Sequence, residues 1–599
     1  DTARIGAVLG KVSAVQWGLG ALFSAMSFWA VGRYDAVVHR LLATGVNQGQ
    51  AVVSGAAAIA VAQTLGMGAL TGALVRWRLV PGLGLWAAMR VSIAVALTFL
   101  AGWAVITAVA VLLVPLPLPG ARLAALVVLA LAAGAALASI TQPRALRHLH
   151  LPPLRAMSTI LGLAALDTLA AGTVLWVFLP NDIAIGATTL IAAYLLALGA
   201  GLVLTTPGGV GPFELALLTL LPAVPDETLL AAIIAYRALY YALPAILGGA
   251  VLLNGGLPRS LASAAKGPRP VRLTALPTAP HLPFMVEALI EAAPQAEAGW
   301  LRHGRLGLLT DPAGRPMANA AQSGHGLIVV GDPLRPGLAP AQVLRRASAT
   351  AAWALRTPVL YKIGPRMAAK ARARGWQVAR IAEEAWLDPA QFATTGAQYR
   401  QLRRKLRKAE GAGVTITHIS PKTEHPLPLG EMDEIANSWR KAHGGERGFS
   451  MGQWNRELLT WAHVFLAHDQ GGRLLGFITL HANAHEQTLD LMRARPDAPD
   501  GTMHALVVAA IEAGAQAGLR RFSLAAAPVA SLPTDTALTG WLRAQFANAA
   551  GAAGLRQFKS AFAPCWSPLY LAAPSRAGLV FGALDIAREI AQPPRAAAP

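Results

Sequence analysis

Apolar positions fill the first 255 residues in long runs, whereas beyond them they alternate with polar positions or recur every three to four residues. The runs fall at about 12 to 32, 52 to 74, 87 to 114, 121 to 142, 156 to 179, 184 to 206 and 228 to 254, most of them near the ~20 residues a helix needs to cross a bilayer. Basic residues decide how many cross. Arg76, Arg78 and Arg90 follow the second run, Arg144, Arg147 and Arg155 the fourth, and Arg259, Lys266, Arg269 and Arg272 the last. The positive-inside rule cannot put all three groups on one side if every run crosses. The stretch TTPGGVGP, Thr205 to Pro212, resolves the conflict, because its prolines and glycines interrupt a helix and the freed backbone groups must line protein or water rather than lipid. The pattern predicts six spans plus one re-entrant hairpin, an all-α polytopic membrane bundle over residues 1–255 with both ends cytoplasmic.

Residues 256–283, rich in Pro, Ala and basic side chains, read as a semi-extended linker. Beyond it, strand candidates at Gly326 to Val330, Pro358 to Lys362, Val378 to Ile381, Val414 to Ile419, Leu474 to Leu480, Leu489 to Met492, Phe522 to Ala525 and Leu569 to Ala572 alternate with helical runs. That alternation predicts an α/β domain over 284–590, large enough for two lobes. The last residues, 591–599, read as a disordered tail.

Composition adds partners and exclusions. The formal net charge of +20 favours polyanions, either nucleic acid or anionic lipid headgroups. A single cysteine, Cys565, excludes an intrachain disulfide and any multi-cysteine metal site, and suits a reducing compartment. There is no GxxxxGK[ST] loop, no HExxH and no GxSxG elbow, and the HxxxH pair His481 and His485 lacks a zincin's glutamate. Neither nucleotide hydrolysis nor a metal is supported.

Three groups of residues carry candidate chemistry. Charges in or beside the apolar runs, Asp167, Glu214, Arg237, Arg76 and the cluster Arg33-Tyr34-Asp35, are costly in lipid and suggest an internal polar path suited to an anionic or zwitterionic headgroup; the alternative is a stabilising Asp167–Arg237 pair. In YRQLRRKLRKAEGAG, Arg400, Arg403, Arg404, Arg407 and Lys408 share one helical face, opposite Leu402, Leu406 and Ala409. That face suits phosphates, from RNA or from a membrane surface, unless it is merely solvated. In TLDLMRARPDAPDG, Asp490 and Arg493 end a strand before a turn and a helix on which Met503, Leu506, Val507, Ala510 and Ile511 follow helical spacing. They are either a site or a local ion pair.

Several of these stretches together resemble one family, the bacterial aminoacyl-phosphatidylglycerol synthases with a fused lipid flippase, also called multiple peptide resistance factors or lysylphosphatidylglycerol synthases. The segments are YRQLRRKLRKAEGAGV, GGERGFSMGQWN, LDLMRARPDAPDGTM, RRFSLAAAPVA and GLRQFKSAFAPCWSPLYLA, with residues 54–86 and TTPGGVGPFE in the membrane half. The resemblance implies a tandem acetyltransferase-like (GNAT) domain that transfers an amino acid, most often lysine and in some members alanine, from aminoacyl-tRNA to phosphatidylglycerol. No cofactor is implied, and the chain lacks the glycine-rich pyrophosphate loop of an acyl-CoA enzyme. The family places the enzyme in the bacterial cytoplasmic membrane, with its soluble domain in the cytoplasm. It exposes the product on the outer leaflet, which weakens binding of cationic peptides, and it accommodates a homodimer. By position Asp490 and Arg493 match the family's DLMR motif and Lys559 its FK motif. Asp490 would orient the lipid hydroxyl or recognise the donor's α-amino group, while Arg493 and Lys559 would bind phosphate or developing negative charge. Two departures bear on amino-acid specificity: Ala525 stands where glycine is common, and His504 where an acidic residue is expected. Longer members carry a further helical block ahead of the part present here, so this chain resembles a short or trimmed form.

Overall fold

The computed structural model describes residues 10–66, 68–114, 118–143, 151–180, 183, 185–204, 207–254, 273–277, 281–421, 423, 426–529, 532, 535–550 and 554–591. The chain divides into two compact units, Asp1–Pro270 and Val271–Pro599. Outside the described residues lie Arg144, Arg147, Arg259, Lys266, Arg269 and Arg272, Thr205 and Thr206 of the helix break, most of the expected linker and the tail from 592 onward.

The first unit is helical. Among its described residues five helices are long and apolar enough to cross a membrane, Ala14–Leu41, Leu85–Leu113, Ala121–Thr141, Leu154–Val177 and Asp226–Leu253. The last contains a π-helical stretch at Arg237–Ala242. The expectation of six spans is corrected at the second run, which forms two helices, Gln48–Leu65 and Gly68–Leu79. Gly66 there has φ +82°, a conformation that glycine adopts without steric cost and that ends a helix; averaged hydropathy does not register it. The sixth run breaks as expected. Ala187–Val203 has 17 residues and Pro212–Leu220 has 9, each shorter than the ~30 Å hydrocarbon core at 1.5 Å per residue. Between them Gly208, Gly209 and Gly211 take φ of +64°, +68° and +95°. The unit's core gathers aromatic rings, with Tyr236 stacked on Tyr240 at 5.2 Å between centroids and Tyr194 edge-on to Phe213 at 5.8 Å.

The second unit is α/β. Eleven strands, β1 (Gly307–Thr310), β2 (Pro316–Ser323), β3 (Gly326–Val330), β4 (Thr357–Ile363), β5 (Gln377–Leu387), β6 (Thr415–Ile419), β7 (His463–His468), β8 (Leu474–Ala482), β9 (Glu486–Ala494), β10 (Arg521–Pro528) and β11 (Cys565–Ala573), form one sheet in the order β1-β2-β3-β4-β11-β5-β10-β9-β8-β7-β6. All eight anticipated strands are present; β1, β2 and β7 are additional. The two lobes, β1–β5 and β6–β10, share this continuous sheet, and the last strand enters the first lobe between β4 and β5, antiparallel to both.

One irregularity positions the site. The parallel pair β9 and β10 is joined only at Glu486–Arg521, Gln487–Phe522 and Thr488–Ser523. Beyond Ser523, β10 bulges and continues against β5, with Ala526 opposite Glu384. The two parallel strands therefore separate after Thr488 and Ser523, opening a cleft within the sheet. Leu506, Val507, Ala510 and Ile511 of the helix Thr502–Gln516 are fully buried against this lobe, as their spacing predicts.

Candidate active site

The cleft leads to a cavity of about 500 Å³ whose lining includes Asp490, Arg493 and Lys559. The three soluble-domain residues singled out from the sequence thus converge. A β-bulge brings this about on β9: Leu491 pairs with Thr479 and Leu489 with Leu480, which leaves Asp490 without a ladder partner. A bulge re-aims a side chain relative to its neighbours, so Asp490 and Arg493, three residues apart, line one cavity.

Asp490 and Arg493 do not pair with each other. Asp490 Oδ2 accepts a 3.1 Å hydrogen bond from Thr479 Oγ1, and Asp490 Oδ1 lies 3.4 Å from His481 Nε2. Burial pushes the Asp490 carboxyl up, but the imidazoles of His481 and His303 and the Thr479 hydroxyl outweigh it and hold the group below the ordinary carboxylate value. Gly452 packs on this residue so closely that a Cβ would sit 2.6 Å from Asp490 Oδ1. Arg493 donates to Glu446 Oε1 at 2.8 Å, and its guanidinium lies 3.5 Å from the Trp439 ring centroid. Lys559, on the short helix Leu555–Ser560, donates to the carbonyls of Ala525 at 3.0 Å and Ala526 at 2.8 Å. Burial brings its amine down to about 7, and repulsion from Lys362 adds to the shift.

The carbonyls that hold Lys559 belong to the bulge of β10, where Ala525 has φ +61°. Glycine adopts this geometry freely and alanine does so at a cost, which accounts physically for a pattern that favours glycine here. Where the strands still pair, Arg521 bridges Glu384 Oε2 at 2.6 Å and Glu486 Oε1 at 3.0 Å, clamping β5, β9 and β10 below the opening. His504 packs on Phe558 and Phe562, at 4.6 and 5.8 Å between centroids, and so braces the helix that carries Lys559.

The basic helix Arg400–Gly411 packs with Leu402 and Ala409 buried and Leu406 partly so. Gly501, with φ +103°, meets it so closely that a Cβ would lie 2.0 Å from the Lys405 carbonyl oxygen. The five cations expected on one face differ in their local partners. Arg403 donates to the carbonyls of Thr394 and Gly396 at 2.6 and 2.7 Å, and Lys408 pairs with Asp500 at 3.1 Å. Arg400, Arg404 and Arg407 are exposed, as is Lys408 beside its Asp500 partner, whereas Arg403 is half-buried.

In the first unit a cavity of about 380 Å³ is lined by Asp35, Arg76 and Asp167 together with Ser92, Tyr240 and Gly208. Arg76 Nε donates to Asp35 Oδ1 at 3.0 Å and Arg76 Nη1 to Ser92 Oγ at 2.7 Å. The Asp167–Arg237 alternative is not formed: Asp167 accepts from Ser27 and from the Tyr240 hydroxyl, whereas Arg237 Nε donates to Glu214 Oε1 at 2.7 Å. Neither Glu214 nor Arg237 lines the cavity, and Arg33 is exposed, over the Trp29 ring at 5.4 Å.

Sequence reasoning passed over His303, Glu297, Trp300 and Lys362, which come from distant strands and loops and carry no local motif, and weighed His481 only as half of an HxxxH pair with His485. Glu446 lies within GGERGFS, but nothing in that segment alone tied it to Arg493.

Comparison with known proteins places this architecture. Residues 306–573 match the family model for the phosphatidylglycerol lysyltransferase C-terminal domain. A phosphatidylglycerol lysyltransferase of Staphylococcus haemolyticus is 24% identical over 276 residues, covering 45% of this chain and 32% of the relative. That of Bacillus subtilis is 28% identical over 208 residues, 33% of this chain and 24% of the relative. The match thus spans about a third or less of each relative's length. The solved structure of L-PGS from Bacillus licheniformis superposes with a TM-score of 0.46 at 24% identity, covering 52% of this chain and 97% of that one. Across residues 306–573 the chain is therefore similar to the phosphatidylglycerol lysyltransferase C-terminal domain.

Proposed function

We propose that this chain is a membrane aminoacyltransferase that moves an amino acid from aminoacyl-tRNA to a glycerol hydroxyl of phosphatidylglycerol. The observation that carries this reading is the convergence of Asp490, Arg493 and Lys559 in one cavity where β9 and β10 separate. The donor ester is already activated. The lipid hydroxyl oxygen attacks the ester carbonyl carbon, a new carbon–oxygen bond forms, the bond to the tRNA ribose oxygen breaks, and the proton lost by the lipid hydroxyl ends on that ribose oxygen. Such a step needs alignment, a proton acceptor and charge stabilisation, and no covalent enzyme intermediate. Asp490, backed by His481, aligns the lipid hydroxyl or the donor's α-amino group. Lys559 lies within reach of the proton in transit, and Arg493 supports phosphate or the tetrahedral oxyanion.

The exposed Arg400, Arg404 and Arg407 supply a phosphate-docking surface for the tRNA. In the first unit, the cavity holding Asp35, Arg76 and Asp167 serves the path by which the product reaches the outer leaflet, where it lowers negative surface charge and weakens attraction of cationic peptides. The second unit acts in the cytoplasm, where charged tRNA is found. The test is mass-spectrometric lipid analysis of bacteria expressing the chain or its D490N variant. A new aminoacylated phosphatidylglycerol with the wild type and none with D490N is expected; no new lipid with the wild type rejects the reading.

A further inference from the structure

Beside the three convergent residues, the same cavity has a corner built to receive an ammonium group. Glu297 and Trp300 stand three residues apart on the 3-10 helix Ala296–His303, and at that spacing side chains of a 3-10 helix eclipse. A carboxylate and an aromatic face presented together form the usual receptor for an alkylammonium. Here the corner is already filled. Lys362 Nζ lies 4.6 Å from the Trp300 ring centroid and 3.9 Å from Glu297 Oε1, and donates to the Ser450 carbonyl at 2.9 Å. Lys362 reaches it from β4 with φ +55°, a conformation that a non-glycine residue holds only when its surroundings enforce it.

The charges lining the cavity sharpen the point. Its acidic residues are Glu297 and Asp490, against Lys362, Arg447, Arg493 and Lys559. A lysyl donor brings two ammonium groups and an alanyl donor one. Asp490 is available to one of them, and Glu297, the remaining carboxylate, is occupied by the chain's own lysine. A second long cation would enter a corner holding a fixed like charge, which discriminates strongly in a desolvated site.

We infer that the acyl site takes a small, uncharged amino acid such as alanine, and that Lys362 is the specificity-determining residue that excludes lysine by occupying the Glu297–Trp300 corner. This rests on the aminoacyl-transfer reading and names its substrate class. The test uses the purified full chain in phosphatidylglycerol vesicles with tRNA esterified to alanine or to lysine. The wild type should transfer alanine at least tenfold faster than lysine. K362A should raise the lysyl-to-alanyl ratio at least tenfold, whereas K362R should leave it near the wild-type value. Should K362A turn over neither donor, calorimetric titration with lysinamide and alaninamide decides: K362A should gain at least tenfold in lysinamide affinity over the wild type. Comparable wild-type transfer of lysine, or an unmoved ratio and an unmoved lysinamide affinity in K362A, overturns the specificity assignment while leaving aminoacyl transfer intact. Product from neither donor with the wild type overturns both.

Discussion

His481 Nε2 stands 3.4 Å from Asp490 Oδ1, and neither atom has a hydrogen-bond partner among the described residues. A buried imidazole at this distance favours the ionised carboxylate, which fits the aligning role proposed for Asp490. D490N should lower kcat/KM by at least 100-fold, in the range expected for loss of an acid–base or aligning group. H481Q should lower it about tenfold and also move the pH profile. His481 helps hold the Asp490 carboxyl low, so its loss raises the carboxyl's pKa, and the acid limb should shift to higher pH. An H481Q profile superimposable on the wild type would reduce His481 to packing.

Lys559 gives a second pH signature. A neutral amine has two N–H bonds and one lone pair, and Lys559 Nζ already donates to two carbonyls, so its deprotonated form keeps a lone pair to accept a proton. With its pKa brought to about 7, the transfer rate should rise as pH increases from 6 to 8, and K559R, which cannot deprotonate in this range, should lose that rise. The linkage has a definite sign. The folded value lies below the ordinary 10.5, so the unfolded chain binds the proton more readily, and this residue's contribution to stability falls as pH drops from about 10.5 to 7 and is flat below. K559M should flatten that slope in denaturation midpoints measured at pH 7 and 9.

The basic helix separates electrostatics from architecture. Neutralising the exposed Arg400, Arg404 and Arg407 to Gln removes up to three phosphate contacts. The slope of log affinity for tRNA against log salt should therefore shrink by roughly 2 to 3 units. R403Q should leave the salt slope nearly unchanged and lower thermal stability instead, because Arg403 ties down the Thr394 and Gly396 carbonyls. Salt-dependent binding of the full chain to charged tRNA measures both.

Those contrasts also show what local pattern conveys. Alternation and helical spacing located eight of the strands and the buried face of Thr502–Gln516, because those signals arise from one element facing one core. β1 has four residues and β2, PMANAAQS, little β-branched character, so tertiary pairing rather than propensity sets them. Asp490 was legible as charge at a strand end, but the bulge that turns it toward Arg493's cavity depends on register with β8. The His481, Glu297 and Lys362 contacts depend on strands and helices brought together by the sheet order. In the membrane half, the double-glycine break at 208–209 was visible in composition, whereas the single Gly66 was lost within an apolar run.

In the first unit, Asp35 and Arg76 form an ion pair with both side chains almost wholly buried, and two glycines make room for it. A Cβ on Gly55 would lie 2.2 Å from Asp35 Cβ, and one on Gly72 would lie 2.8 Å from Arg76 Nη1. Removing one partner of a buried pair strands the other charge, at a cost of about 3–5 kcal/mol, while replacing both with apolar groups is far cheaper. D35A should therefore lower the thermal midpoint of the detergent-solubilised full chain sharply, and D35A/R76L should recover much of it. Function separates the two proteins further. If the cavity serves lipid translocation, the double variant should make the normal total of aminoacylated lipid yet expose less of it to an amine-reactive reagent outside the cell. Equal surface labelling at equal total product would leave Asp35 and Arg76 as a structural pair, with the lipid path elsewhere.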